Sequence, residues 1–346
     1  MKIGITYDLK SDGPVRHDVP DDFYEEFDSP ATVEAVASVL RGLGHTALKL
    51  GNGRPLLERL LSDPPDFVFN FAEGQGIGRS REARVPAVLE MLGIPYSGSD
   101  PYTLAVTLDK HCAKRLVSEN AEIATPWSWL VTVEDDPKEI FSAALAESAV
   151  SLLRQRLPFI VKPAWEGSSK GIRGRSIAKR IEDVPEIVES LRRDYRQPVL
   201  IEQFIQGDEL TVGLVGNAPP RIVGVMRVLP LQPEEHFIYS LEVKRDWERR
   251  VRYECPARLA NRDYEAVCES ALAVYRTLGC RDVARIDFRL RDGTPYFLEV
   301  NPLPGLSPES GDLVIMAQLS GCSYDRLIGT ILQAALDRCG LVSSPL

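Results

Sequence analysis

Asp287, Glu299 and Asn301, with Arg285 beside them, are the residues whose types and spacing first suggest chemistry. They lie in two β-type runs, Val283–Leu290 and Pro295–Val300, on either side of Arg291-Asp-Gly-Thr294, a pattern that predicts a hairpin. Side chains alternate along a strand, so Arg285 and Asp287 share one face, and Glu299 and Asn301 share another. If those faces coincide across the hairpin, three oxygen donors come together. Hard oxygens in a small cluster suit one or two Mg2+ ions, with Mn2+ as a substitute, and Mg2+ binds substrate phosphates as well. The plainer alternative is a surface hairpin with its charges in water. Asn301-Pro-Leu-Pro-Gly305 argues against it, because two prolines and a glycine fix an irregular backbone where a strand should simply end.

A metal site of this kind needs a nucleotide, and two upstream segments could hold one. In Phe159-Ile-Val-Lys-Pro-Ala-Trp-Glu-Gly-Ser-Ser-Lys-Gly171 a strand delivers Lys162. A loop then carries Gly167, Ser168, Ser169 and Gly171, whose N–H groups and hydroxyls could close over phosphates. Lys110 is a second phosphate candidate. The GxxxxGK[ST] spacing is absent, so this is no Walker loop, and a flexible surface turn is the alternative. In Val199-Leu-Ile-Glu-Gln-Phe-Ile-Gln-Gly-Asp-Glu-Leu-Thr-Val212 the main chain around Glu202–Ile205 could pair with an adenine edge. Phe204 and Ile205 could pack its faces and Glu209 could accept ribose hydroxyls. A β-hairpin with one acidic turn is the plainer reading.

The elements around these residues follow from periodicity. Lys2–Tyr7 reads as a buried strand and Ser29–Leu43 as a helix with a Ser-Pro start. Ala47–Leu50 and Phe67–Phe71 read as short strands around a helix at Leu56–Leu61, and Arg84–Leu92 as a helix stopped by Gly93. That rhythm implies a small parallel sheet wrapped by helices. Residues 99–130 read as helical up to Ala124-Thr-Pro126, followed by a strand and by an acidic helix at roughly 134–155. A helix near Ile181–Asp194 and a strand at Pro198–Glu202 come next. From 208 onward long strands prevail, interrupted by a helix at Asp263–Leu278 and closed by one at Tyr324–Leu336. The expected class is α/β (α+β) in three units, 1–100, 101–195 and 196–346.

Bulk properties exclude several functions. A chain of 346 residues, 44% of them hydrophobic, can bury such cores. A net charge of −9 supplies no global basic field for nucleic acid or an anionic membrane, and the basic run Arg245–Arg252 reads as a solvated face. Six cysteines without CxxC spacing and four isolated histidines argue against zinc and disulfides. The chain opens on a strand, and no apolar run approaches the roughly 20 residues of a bilayer span, so a cytoplasmic location is expected. No GxGxxG follows Lys2–Tyr7, which removes a dinucleotide-dependent dehydrogenase.

In their order, Lys-Pro…Glu-Gly-Ser-Ser-x-Gly, Ile-Glu-x-Phe-Ile-x-Gly-x-Glu-x-Thr-Val and Arg-Ile-Asp…Leu-Glu-Val-Asn-Pro-x-Pro-Gly resemble the ATP-grasp carboxylate–amine ligases of the D-alanine–D-alanine ligase branch. The likeness runs from about Leu89 to about Ala335. It implies a Rossmann-like N-terminal domain, with ATP held between two α+β domains. It implies Lys110 and Lys162 on the ATP phosphates under the Gly167–Gly171 loop. Glu202, Phe204, Ile205 and Glu209 would form the adenosine pocket, and Lys244 would close on the γ-phosphate. Asp287, Glu299 and Asn301 would ligate Mg2+, while Arg285 and the Gly305 N–H would stabilise an oxyanion. A carboxylate would become an acylphosphate that an amine attacks, giving an amide, ADP and phosphate.

Departures cluster at the substrate end. The family's Glu for the first ammonium has no motif here; Asp28 or Glu26 stands nearby. The tyrosine that follows the closing-loop lysine and bonds the serine matched by Ser168 is replaced by Arg245. Leu306–Leu313 is longer than the family's loop for the second carboxylate, a role left to Ser307 or Ser310. Phe71–Arg81 lacks the family's histidine, though its glycines and two arginines could bind a carboxylate. The expected function is an ATP-dependent ligase, D-alanine–D-alanine ligase-like, acting on small amino acids or peptides. The alternatives are the same chemistry on another amino acid, peptide or specialised metabolite, or a non-catalytic ATP-binding module. A homodimer is expected by family analogy.

Overall fold

The computed structural model describes residues 1–10, 19–136 and 147–341. The expected acidic helix at 134–155 lies partly outside them, and its described portion is the helix Glu147–Arg154. No helix among the described residues is long and apolar enough to cross a membrane.

Three sheets organise the chain. Strands β1 (Lys2–Thr6), β2 (Thr46–Lys49) and β3 (Phe67–Asn70) form a parallel sheet in the order β2-β1-β3. The helix Pro30–Gly42 covers it. Ser29 caps that helix by accepting from the Thr32 N–H at 3.1 Å, and proline enters its first turn. Val33, Val36, Ala37 and Leu40 recur at helical spacing and are buried on the sheet; each large side chain so placed contributes roughly 1.5–3 kcal/mol. The same core takes Leu313, Val314, Leu327, Ile328, Ile331 and Leu332 from the helices Asp312–Leu319 and Tyr324–Arg338, so the end of the chain returns to cover its beginning.

Strands β4 (Ser128–Val131), β5 (Phe159–Pro163), β6 (Ile177–Ala178) and β7 (Val199–Gln203) form an antiparallel sheet in the order β4-β7-β5-β6, backed by the helix Val184–Tyr195. β7 follows residue 195 yet pairs with β4 and β5. Strands β8 (Asp208–Val215), β9 (Arg221–Pro230), β10 (Val251–Glu254), β11 (Val283–Arg291) and β12 (Thr294–Asn301) form the third sheet, β10-β9-β8-β11-β12. Its core takes Ala113 and Val117 from the helix Lys110–Ala121 and Val267, Ala271 and Val274 from the helix Asn261–Thr277.

The β11–β12 hairpin turns through Asp292 and Gly293, both with positive φ (51° and 76°), as a two-residue turn matched to strand twist requires. From Arg291↔Thr294 the pairing runs to Phe288↔Phe297, then shifts by one residue so that Asp287 faces Glu299 and Arg285 faces Asn301. Without that bulge Glu299 would lie opposite Ile286, on the core face. The bulge is what brings the carboxylates onto one face.

Candidate active site

The four- and five-stranded sheets enclose a cleft of about 650 Å³, its open mouth included, whose lining contains Lys162, Phe204, Ile205, Glu209, Lys244, Asp287 and Glu299. β5 ends by delivering Lys162, whose Nζ lies 2.7 Å from Glu202 Oε2. The helix Lys110–Ala121 buries Lys110, Ala113, Lys114 and Val117 on one stripe, so two lysines reach the site from its apolar face. Lys114 Nζ lies 2.7 Å from Glu202 Oε1 and donates to the Phe297 and Leu298 carbonyls. Burial opposes the charge on Lys162, but Glu202 and Glu299 outweigh it and hold its pKa above the usual value. For Lys114 burial prevails, pushing the pKa down to about 8. Burial would raise the Glu202 carboxyl, yet the two lysines keep it below its usual range. The Glu202 side chain is therefore engaged inside the protein, and Glu202 lines the cleft together with Gln203, Phe204 and Ile205.

Gln203 N–H and Phe204 N–H donate to the Trp127 and Pro158 carbonyls, whereas Ile205 N–H has no partner among the described residues. The Phe204 ring stands 4.9 Å from the Arg289 guanidinium carbon and edge-on to His236. Arg289 Nη2 also bonds Glu209 Oε2 at 2.6 Å. Burial, the largest cause, raises the Glu209 pKa although Arg289 opposes it.

At the hairpin, Arg285 forks onto Asp287 (Nε–Oδ1 3.1 Å, Nη2–Oδ2 2.9 Å) and reaches Asp312 Oδ2 at 2.9 Å. Glu299 Oε2 lies 3.2 Å from Lys110 Nζ. Burial alone would raise the Glu299 pKa, but Lys110, Lys162 and Arg285 hold it far below the carboxylate range. Asn301 Oδ1 accepts the Leu303 N–H at 2.8 Å. Two carboxyl groups and an amide oxygen on one sheet edge are the donor set a hard divalent ion takes.

The loop over this edge is fixed by Gly171, whose φ is +73° and where an added Cβ would meet Pro163 Cγ at 2.5 Å. Ser168 and Ser169 also take positive φ, and Ser169 Oγ donates to the Tyr239 carbonyl at 2.9 Å. Lys244 lies on the short helix Leu241–Arg245, 3.9 Å from Asp312 Oδ2 and over the Tyr239 ring. Arg245 turns elsewhere: Nη1 meets Asp21 Oδ2 at 2.8 Å and Nη2 meets Glu25 Oε2 at 2.6 Å. It lines neither this cleft nor the adjoining cavity.

That cavity, of about 400 Å³, opens beyond Glu299 and is walled by Glu26, Gly167 and Ser168, with Lys110, Asn301, Glu73 and Glu82. Glu26 lines it and Asp28 does not. Glu26 accepts from the Gly167 N–H and pairs with Arg81 at 2.8 Å and Lys170 at 3.4 Å. Arg81, expected as one of two arginines open to a carboxylate, is 1% exposed and already bound to Glu26, Glu166 and the Trp165 carbonyl. Ser307 and Ser310 bond each other in the turn before Gly311, outside the cavity lining. Gly305 N–H has no partner among the described residues.

Sequence reasoning missed Lys114, Arg289, Asp312, Glu73 and Glu82. Lys114 had a signal, its position four residues after Lys110 on a stripe with Ala113 and Val117. Asp312 had only its place in the first turn of an apolar helix.

The sheets and the cleft between them define an ATP-grasp protein. Residues 120–333 match the family described as D-ala D-ala ligase C-terminus. The D-alanine--D-alanine ligase of Gloeobacter violaceus is 32% identical over 314 residues, 88% of this chain and 93% of that protein. The ligase of the same name from Pelotomaculum thermopropionicum is 28% identical over 90% of this chain and 92% of its own length. The crystal structure of the Bacillus anthracis D-alanine--D-alanine ligase complexed with ATP superposes with a TM-score of 0.71, at 22% identity over 98% of both chains. The chain belongs to the D-alanine–D-alanine ligase family of ATP-dependent ligases that form carbon–nitrogen bonds.

Proposed function

We propose that this chain joins the carboxylate of one small amino acid or peptide to the amine of another, using ATP and Mg2+. The observation that carries the reading is the pairing of Asp287 with Glu299 across a bulge, beside Arg285, at the edge of the cleft. Ile205 N–H is free to donate to an adenine edge, and Glu209 faces the place of the ribose. Lys162 and Lys110 supply fixed positive charge for the phosphates under the 167–171 loop, and Lys244 closes from the opposite side. Asp287, Glu299 and Asn301 would hold Mg2+, which when bound neutralises charge on the transferring phosphoryl group. Arg285, kept charged by two aspartates, is placed to stabilise the tetrahedral oxyanion with the unpartnered Gly305 N–H. The helix carrying Lys244 excludes water from the acylphosphate. A homodimer is part of the same reading, and its mass in solution tests it.

Phosphate release from ATP and Mg2+ over a panel of D- and L-amino acids, with mass spectrometry of products, tests the function. ADP, phosphate and an amide are expected in equal amounts. Arg285→Lys keeps the charge but loses the fork and should lower kcat on the order of 10²–10³-fold. No release with any substrate pair would overturn the reading.

A further inference from the structure

The cavity beyond Glu299 is lined by more carboxyl groups than are ion-paired among the described residues. Glu26 and Glu166, each with a 3% exposed side chain, are matched by Arg81 and Lys170. Lys110 matches Glu299. Two further carboxylates, Glu73 and Glu82, line the same space, and neither has a hydrogen bond or ion pair among the described residues. Glu82 is only 7% exposed. Gly74, at φ +80°, folds the loop so tightly that an added Cβ would sit 2.3 Å from the Arg81 carbonyl oxygen, which fixes Glu73 and Glu82 on either side of that contact. Burial, the largest cause, pushes the Glu82 carboxyl up to about 8 with help from Glu26 and Glu166, although Arg81 and Lys110 oppose it. Burying such groups is unfavourable unless something positive meets them.

One α-ammonium would match one of these carboxyl groups, leaving the other without an ion pair among the described residues. We propose that the cavity takes an amino acid with a second cationic group, a diamino or guanidino acid, its carboxylate toward Lys110 and Asn301 and its two cations on Glu73 and Glu82. This rests on the ligase reading above and names its substrate class. Among the described residues no three acidic, histidine or cysteine side chains converge to chelate an ion. A neutral amino acid of alanine size would leave one of the two carboxyl groups without a cation, and sites that recognise a second polar group discriminate steeply.

The test compares lysine, ornithine and arginine of both hands with alanine, serine and glutamate, singly and in pairs, by phosphate release and by calorimetric binding in the presence of a non-hydrolysable ATP analogue. Basic amino acids should exceed alanine in kcat/KM on the order of 100-fold. Glu82→Gln and Glu73→Gln should each cut the basic-to-neutral ratio by at least about tenfold, chiefly through KM. Both variants should fold, since each replaces a carboxyl that burial holds toward its neutral form with an amide of the same size. Equal or better use of alanine, with the ratio unchanged in both variants, would overturn the proposal. Phosphate release from no substrate would count against the ligase reading, and calorimetry would still decide the cavity: tight binding of ornithine lost in Glu82→Gln upholds it, and no preference over alanine overturns it.

Discussion

Asp28 and Glu26 are two residues apart and do opposite things. Glu26 is held ionised: burial would raise its carboxyl, but Arg81 and Lys170 bring it down to about 2. Asp28 sits beside Asp8, and burial, the largest cause, pushes it up to about 7, with Lys10 opposing and Asp8 adding to the rise. The folded chain thus binds a proton there that the unfolded chain, with a carboxyl near 4, releases earlier. The stability this contributes is fully present below about pH 4 and is lost as pH rises through about 7. Asp28→Asn should therefore gain on the wild type in melting temperature as pH is raised from 4 to 8. A constant difference between the two across that range would show that Asp28 is not buried against Asp8 as described. Because the same asymmetry places Glu26 rather than Asp28 on the cavity wall, Glu26→Gln should impair turnover while Asp28→Asn should not.

At the scale of elements, the short helix Leu241–Arg245 is tied to the segment 19–28 by Arg245 with Asp21 and Glu25, and by Arg173, which meets both Asp21 and Glu242. Asp21 has a 62% exposed side chain and Arg245 39%, so each pair contributes no more than about 1 kcal/mol and salt weakens it. A latch of that strength can hold a lid during the acylphosphate step and still release it in each cycle. Arg245→Ala should raise the phosphate released per amide formed above about one, because water then reaches the acylphosphate. A ratio unmoved by the substitution and by added salt would mean the helix stays closed without Arg245. Lys244, proposed to close the cleft, stood out in its motif, but the latch did not, because its acidic half lies over 200 residues earlier in a segment with no periodicity. The hairpin was legible from Asp292-Gly293. Its bulge was harder to see, although the buried residues of β12, Phe297 and Val300, stand three apart instead of two. The uniformly apolar run Tyr-Phe-Leu before Glu299 hid that change of phase. The proposed nucleotide and metal edges are local in sequence and could be read from it. The cavity wall is assembled from residues near 26, 73, 82, 166 and 299, and only folding brings them together.

At the scale of the whole molecule, one buried carboxylate joins three parts. Asp282, 0% exposed and at φ +65°, accepts from the Gly98 N–H at 2.8 Å, from Asn217 Nδ2 at 2.9 Å and from Arg338 Nη2 at 2.7 Å. Arg338 also donates to the Tyr96 carbonyl at 2.8 Å. The start of β11, the exit from the first sheet's last crossover and the end of the last helix are thereby held at one point. Arg338→Met leaves Asp282 buried without its cation, which should destabilise the protein by roughly 3–5 kcal/mol in a urea titration. Asp282→Asn combined with Arg338→Met should recover part of that loss, since no unmatched charge remains. The helices at 312–338 share one core with β1 and β3, so hydrogen exchange in the single variant should quicken together in Lys2–Thr6, Phe67–Asn70 and Tyr324–Arg338. Protection lost equally in β8 and β11 would instead show that the first and last elements do not form a separate unit, and that the molecule opens only as a whole.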